Sequence, residues 1–518
     1  LSLAQAIGYS IHVFNAFKHG LARTGQRRTA LVHAVSETGW PLLFSALTTM
    51  SALCSFLFIP LRPIRWVGVT GACLVGVTYI LVIILLPSLL SFGRDDMPPE
   101  RQRSGVLACL DRLMEYLGTR VLNRPGLTMT VFGLLSVACI LGIFRFEVSF
   151  DIRRTFGIGV PYVHRLDYIG HTQVGSLYSY GVALEFDQPG EAKNPEKLKK
   201  FDQFIAEIAA LPLTKKTTSL VDIVKDMHQV LNNGDPAFHI IPDEREAVAQ
   251  VLLLYENAGG SEAEKWVDYD YQRLRLMVEI DDYNSGEAVR EMGLIQERGR
   301  ELFPDAKVLL IGSIAQFTVM QDYVTWGQLK SFFVALIVIA LLMSMVFGSP
   351  TIGLIAMIPN VAPALAVGGV MGFANIPLDM MTVTIIPMLL GLAVDDSIHF
   401  INHSQLEFER TGSYRESVRR VFGSVGTALL LTSLVLILCF SAYAASDAKV
   451  FVNMSYLVAA GILAALAADY FVTPVLLDRL RAFGPDKTER LAGNRPPDFS
   501  GADRAHPGAH FGMEREKI

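Results

Sequence analysis

Two adjacent aspartates lie within an apolar segment of the chain, and a histidine follows them at helical spacing. His399 comes four residues after Asp395 and three after Asp396. On a helix these spacings allow one imidazole to reach either carboxylate. An ionised carboxylate near the centre of a bilayer costs at least ~3 kcal/mol, so such residues need a function or a partner. The sequence therefore predicts that these three residues form a proton relay.

Other polar residues of the apolar segments are candidate partners in this relay. They are Tyr9, Ser10, His12, Ser397, Asn402, Thr432 and Asp469. A structural hydrogen-bond cluster between two helices is the alternative for the acid pair, His399 and Asn402, and ordinary packing within a helix is the alternative for Tyr9, Ser10 and His12. For Thr432 a hydroxyl bonded to its own helix is the simpler interpretation, and for Asp469 it is solvation at the cytoplasmic interface. No Lys or Arg lies within these segments, so the counter-charge must be a proton, His399 or a bound cation.

The composition is that of a membrane protein. Of 518 residues, 51% are apolar and 18% charged, with a mean hydropathy of +0.37, whereas soluble proteins carry about 25% charged residues. Nine apolar runs are visible, at 1–17, 38–61, 66–93, 125–144, twice within 331–378, around the acid pair, at 421–446 and at 450–477. A helix needs about 20 apolar residues to cross the hydrocarbon core. The chain is therefore predicted to be a polytopic α-helical membrane protein.

The runs divide the chain into six predicted regions. These are the end of a first transmembrane repeat with three spans (1–92), a cytoplasmic loop with an interfacial helix (93–124), a span (125–146), an external domain (147–329), a second repeat with five spans (330–478) and a disordered cytoplasmic tail (479–518). Because residue 1 already lies in an apolar run, we expect the chain to be a piece of a longer protein.

Charge separates the external domain from the rest of the chain. Residues 147–329 carry a net charge of -11, and the remainder carries +6 of the total of -5. Basic residues gather in the loops at 18–37, 94–124 and 403–420, which the positive-inside rule assigns to the cytoplasm. Counting spans from these loops places 147–329 outside a cell (inner) membrane, in the periplasm or the extracellular space. This region contains no cysteine, so it has no internal disulfide.

The external region has the pattern of an α+β domain. Alternating or apolar stretches predict strands at 180–187, 273–282 and 307–313, and amphipathic stretches predict helices at 195–211 and 285–303. This order is that of a ferredoxin-like, split βαβ fold with extra helices inserted near 218–258.

The two transmembrane repeats align with each other at one ungapped offset of 387 residues. Matching residues include Ser10, Ile11, His12, Asn15, Arg23 and Pro87 with Ser397, Ile398, His399, Asn402, Arg410 and Pro474. The acid pair is the informative difference, because Gly8 and Tyr9 occupy the positions that correspond to Asp395 and Asp396. Only the second copy therefore carries acids in the middle of this span.

These features resemble the resistance-nodulation-division (RND) superfamily and, within it, the MmpL-like exporters that include the hopanoid-transporter type. The resemblance rests on Gly-Leu-Ala-Val-Asp-Asp-Ser-Ile-His at 391–399, Gly-Ser-Pro at 348–350 and Ala-Asp-Tyr-Phe-Val-Thr-Pro at 468–474. It implies a twelve-span protein with two porter domains, of which this chain lacks the first. It also implies proton coupling at Asp395 and Asp396. The chain departs from MmpL members, which carry Asp-Tyr in both related spans.

The resemblance implies proton-driven export of hydrophobic or lipidic molecules. The expected partners are such a substrate, protons, membrane lipids and either a second copy or a periplasmic protein, with no nucleic acid. A sterol-sensing or receptor-like lipid-binding protein and an auxiliary of protein translocation are the alternatives. Neither a Walker loop nor an HExxH motif is present, so we expect no enzymatic activity, cofactor or metal.

Overall fold

Helices account for most of the structure, a computed structural model that describes residues 2–93, 95, 105–145, 147–148, 152–172, 176, 178–258, 264–280, 285–379 and 381–486. Within these residues, eight helical segments are long and apolar enough to cross a membrane. They are Arg27–Phe58, Arg62–Ser91, Pro125–Ile143, Trp326–Val346, Pro350–Phe373, Thr382–Thr411, Tyr414–Ala445 and Lys449–Arg479. The predicted tail is described only as far as residue 486, and residues 487–518 lie outside the described part.

The first membrane part contains five helices. They are α1 (Ser2–Thr24), α2 (Arg27–Cys54), α3 (Arg62–Ser91), α4 (Val106–Arg120) and α5 (Pro125–Ile143). Helix α1 corresponds to the first predicted span and packs against α2 and α3. It is not among the eight apolar segments, because polar residues such as Gln5, Asn15 and Lys18 recur along it. Its role as a ninth span stays a prediction.

The α+β domain follows α5. Its elements are α6 (Ile152–Phe156), α7 (Pro161–Gly170), β1 (Tyr178–Phe186), α8 (Pro195–Ala209), β2 (Thr214–Ser219), α9 (Leu220–Leu231), α10 (Arg245–Asn257), β3 (Arg273–Ile280), α11 (Ser285–Leu302) and β4 (Ala306–Ile311). The antiparallel sheet has the order β2-β3-β1-β4. Phe201, Phe204 and Phe303 fill the core beneath it. The split βαβ prediction is therefore confirmed.

The sequence did not predict strand β2, which lies at an edge of the sheet. Its residues, Thr-Lys-Lys-Thr-Thr-Ser, lack the alternation of apolar and polar residues that marks a half-buried strand. The strand forms because its backbone pairs with β3, from Thr214 opposite Ile280 to Ser219 opposite Leu276. Long-range pairing, rather than local pattern, determines this element.

The second membrane part completes the bundle. It contains α12 (Ser313–Val346), α13 (Pro350–Asn360), α14 (Ala362–Phe373), α15 (Ile385–Thr411), α16 (Tyr414–Val421), α17 (Thr427–Ser441), α18 (Lys449–Ala467) and α19 (Thr473–Arg479). Two π-helical segments, Phe422–Gly426 and Ala468–Val472, join α16 to α17 and α18 to α19. A π-helix inserts one residue into a helical turn and often marks a functional position.

Helix α15 is the most deeply buried of the eight apolar segments. Glycines bring its neighbours close. A Cβ atom built on Gly391 would lie 3.1 Å from the Cα atom of Thr49 in α2, and one on Gly461 of α18 would lie 2.3 Å from Leu389. The residues 391–402 are consequently held between α2 and α18, in the interior of the bundle.

The predicted interfacial helix is α4, and the structure docks it on the bundle. Met114 is buried against the π-helical segment Phe422–Gly426, and the Asp111 carboxylate accepts a 2.8 Å hydrogen bond from Thr427. The side chain of Leu113 is exposed. One face of α4 therefore contacts protein, while the other faces outward.

Replacement of Gly372 by alanine should destabilise the bundle. A Cβ atom at this position of α14 would lie 1.8 Å from the carbonyl oxygen of Gly142 in α5, so the helices would have to separate. We expect a loss of about 1–3 kcal/mol in unfolding free energy, as for other overpacked sites. Thermal unfolding in detergent measures it. Gly133→Ala is the matched control on α5, because nothing lies within 4 Å of its added Cβ atom. Equal stability of both variants would contradict the close packing.

Candidate functional site

The two adjacent acids of α15 face different sides of the helix. Asp396 accepts a 3.3 Å hydrogen bond from the Ser433 hydroxyl of α17, whereas Asp395 lies beside His399, with 3.5 Å between Oδ1 and Nε2. Neighbouring residues of a helix project about 100° apart, which explains the divergence. The acids therefore have different neighbours, and two polar clusters lie along α15, one at Asp395 and the other at Ser397.

The first cluster joins α15 to α1 and α2. The imidazole rings of His12 and His399 stack in parallel, with their centroids 4.0 Å apart. The Tyr9 hydroxyl accepts a 3.3 Å hydrogen bond from Ser45. The structure thus brings Tyr9 and His12 to the acid pair, and it places the two equivalent histidines of the repeats face to face.

Two polar atoms of the first cluster have no hydrogen-bond partner among the described residues. They are Oδ1 of Asp395 and Nε2 of His399, although His399 is only 3% exposed. Buried polar groups are normally paired. Their separation of 3.5 Å is too long for a strong hydrogen bond. This pair therefore has unused capacity to bind a proton or to contact water.

The second cluster joins α15 to α13, to the π-helical segment Ala468–Val472 and to α19. The Ser397 hydroxyl lies 2.6 Å from Oδ1 of Asp469 and 3.3 Å from Oδ1 of Asn360. Thr473 donates to the same Asp469 oxygen at 3.2 Å. Asp469 is 1% exposed and belongs to a π-helical segment, so it lies within the protein rather than in contact with solvent.

The remaining predicted partners do not join these clusters. Ser10 lies on another face of α1, beside Ile7 and Phe14. The Thr432 hydroxyl bonds to the carbonyl oxygen of Leu429 in its own helix, as the simpler interpretation expected. Asn402 is half-buried, and the described residues give it no side-chain hydrogen bond to either cluster.

Sequence reasoning did not select Asn360 or Thr473 as site residues. Asn360 is a single amide in an apolar helix, and nothing in the sequence links it to a residue 37 positions away. Thr473 follows Asp469 by four residues, and this helical spacing was a usable signal.

An apolar cavity of about 520 Å³ lies beside the second cluster. Helices α5, α14 and α18 enclose it, and its walls include Leu135, Leu365 and Ala464. Ala468 and Phe471 also line it and belong to the π-helical segment that carries Asp469. A bound apolar molecule would therefore contact the same turn that holds the buried acid.

Comparison with known proteins identifies one family. The family model described as "MMPL family" matches residues 1–128 and 261–495, which leaves out much of the α+β domain. The membrane protein MJ1562 of Methanocaldococcus jannaschii, whose name states no activity, is 22% identical over 301 residues, covering 56% of this chain and 73% of that protein.

A solved structure supports the fold. The crystal structure of SecDF in its super-membrane-facing form is similar with a TM-score of 0.50 and 14% identity. The match covers 95% of this chain and 55% of the SecDF chain, so this chain spans about half the length of that structure. At this identity the similarity concerns the fold alone.

Replacement of Ser397 by alanine should destabilise the second cluster. The change removes the short hydrogen bond to Asp469, and interhelical hydrogen bonds in membrane proteins contribute about 0.6–1.7 kcal/mol. Unfolding free energy in mixed micelles measures the loss. Ser404→Ala is the control, because among the described residues this buried hydroxyl donates to the Phe400 carbonyl oxygen of its own helix rather than to another helix. A loss at Ser404 as large as that at Ser397 would show that the bond between helices contributes nothing.

Proposed function

The chain belongs to the MMPL family, and on this premise we propose that it is a proton-driven exporter of hydrophobic or lipidic molecules. Protons would move inward through Asp395, Asp396 and His399 while the substrate moves across or out of the inner membrane. The α+β domain would act as a porter domain on the periplasmic or extracellular side. The acidic charge of 147–329 and the basic loops support this orientation.

The main support is the contact between Asp395 and His399 in the interior of the bundle, where Oδ1 of Asp395 and Nε2 of His399 have no hydrogen-bond partner among the described residues. An acid that is buried without a fixed cation is stabilised by binding a proton. Protonation of Asp395 would remove its attraction for His399, and protonation of Asp396 would change its contact with Ser433. Because both acids belong to α15, each step alters how this helix contacts its neighbours.

The membrane potential supplies sufficient energy for such a step. Each charge that crosses ~100 mV releases ~2.3 kcal/mol. Allosteric coupling energies are typically about 1–3 kcal/mol. One or two protons per cycle would thus bias an equilibrium between two arrangements of the repeats.

The apolar cavity supports a hydrophobic substrate. Its volume of about 520 Å³ falls within the range of about 300–1,000 Å³ that is usual for small-molecule sites. Two of its lining residues, Ala468 and Phe471, belong to the π-helical segment that also contains Asp469. An acyl chain in the cavity and a proton on the acid would therefore act on the same turn.

Transport in proteoliposomes tests the proposal. Under an imposed pH gradient, Asp395→Asn and Asp396→Asn should each lower proton flux and export of a fluorescent lipid at least ~10-fold, because ~1.4 kcal/mol of lost coupling has this effect. Asp478→Asn is the matched control, since this half-buried carboxylate lies in the last turn of α19. The control should transport at the parent rate.

Two outcomes would contradict the proposal. Parental flux in both variants would exclude coupling through the acid pair. Saturable lipid binding without flux in the parent would favour the sensing alternative, and a secretion defect in cells with normal lipid export would favour the translocation alternative.

A further inference from the structure

Helix α15 carries a line of ionisable residues that continues beyond the acid pair. Asp395, His399, His403 and Glu407 follow one another at intervals of four residues, which places them along one face of the helix. The line runs from the interior of the bundle to the end where α15 meets α16. The basic loops assign this end to the cytoplasm.

A polar cavity of about 620 Å³ lies against this face. It extends from the His12–His399 stack to the ends of α1 and α15 and is bounded by α1, α2, α15 and the segment around Ser424. Its ionisable lining residues are His12, His19 and Arg23 of α1, His33 and Glu37 of α2, and His399, His403, Glu407 and Arg410 of α15. Such a lining favours water, and the volume accommodates on the order of 20 water molecules.

The inner end of this cavity reaches the unpaired residue of the first cluster. His399 lines the cavity, and its Nε2 atom has no hydrogen-bond partner among the described residues. The nitrogen also lies 3.5 Å from Oδ1 of Asp395. A proton that leaves Asp395 therefore has a route through one imidazole to the cavity.

The two repeats differ along this route. At the offset of 387 residues, His403 and Glu407 correspond to Ala16 and Gly20 of α1. Both small residues line the same cavity. The second copy therefore places ionisable side chains at this cavity, whereas the first copy places small residues at the equivalent positions.

We propose that this cavity is the cytoplasmic half of the proton path, a hydrated vestibule in which His403 passes protons between the His12–His399 pair and the carboxylates of Glu37 and Glu407. The inference rests on the proposed function and deepens it, because it assigns the step between the buried acid and the cytoplasm. A histidine suits this step, because each of its two ring nitrogens can bind or release a proton.

All charged or titratable groups that line the vestibule bear on the titration of His403. Glu37 and Glu407 favour its protonated form, and Arg23 and Arg410 oppose it. The imidazoles of His12, His19, His33 and His399 oppose it when they carry a proton themselves. The lining residues from the segment around Ser424 are this serine, Val425 and Ala428, and they carry no charge.

Sided labelling of introduced cysteines tests the vestibule without any transport assay. In a variant with the five native cysteines replaced, Ala16→Cys and Val425→Cys should react with a membrane-impermeant methanethiosulfonate from the cytoplasmic side only. Ser10→Cys is the control, because it lies in an apolar groove on another face of α1, and it should stay unlabelled. Labelling of both vestibule positions from the external side, or of neither, would overturn the proposal.

Chemical rescue tests the role of His403. His403→Ala should slow proton flux in proteoliposomes about 10-fold or more, because it removes a group that accepts and donates protons, and it should weaken the dependence of this flux on cytoplasmic pH. Imidazole added at the cytoplasmic side should restore the flux, because it can enter the vestibule. His171→Ala, an exposed histidine of the α+β domain, is the control and should match the parent.

The outcomes separate this inference from the proposed function. Loss of flux in Asp395→Asn together with parental flux and an unchanged pH profile in His403→Ala would overturn the vestibule route alone. Slow flux in His403→Ala that imidazole does not restore would assign His403 a structural role and would also overturn it. Parental flux in Asp395→Asn would instead reject the proposed function.

Discussion

The cost of placing carboxylates inside an apolar helix bundle determines much of this structure. Asp396 and Asp469 are 9% and 1% exposed, and the apolar runs of the sequence contain no Lys or Arg that could pair with them. Unpaired charges in such surroundings are unfavourable by several kcal/mol. Hydroxyl groups donate hydrogen bonds to both acids. Ser433 donates to Asp396, and Ser397 and Thr473 donate to Asp469. These hydrogen bonds link α15 to α17 and to the π-helical segment Ala468–Val472.

The two π-helical segments adapt the helices to these polar contacts. The Tyr470 hydroxyl, next to Asp469, donates a 2.6 Å hydrogen bond to the carbonyl oxygen of Gly426. The ring of Tyr470 also contacts Phe422. One segment thus carries the buried acid and the other begins the helix that holds Ser433. π-helical turns often lie at functional sites, and here one hydrogen bond joins two of them directly.

Contacts beside the bundle connect it to the α+β domain and to α4. On one side, Val148 pairs with Leu378, and the Thr155 hydroxyl donates to Asp379 at 3.3 Å. On the other side, Asp111 of α4 accepts a hydrogen bond from Thr427 at the base of α17. A displacement of α15 or α17 can therefore reach the domain through the residues before α15 and reach α4 directly.

The sequence by itself determined the membrane class and the split βαβ domain, and it selected Asp395, Asp396 and His399 as candidate site residues, because hydropathy, alternation and helical spacing are local properties. It also related His12 to His399 through the repeat. The tertiary structure decided which polar residues meet. It directed Asp395 towards His399 and Asp396 towards Ser433, and it brought Asn360 to Ser397 across 37 residues. It also paired β2 with β3 and opened a cavity beside His403. These features depend on helix rotation, close approach at glycines and long-range pairing, none of which a local sequence pattern specifies.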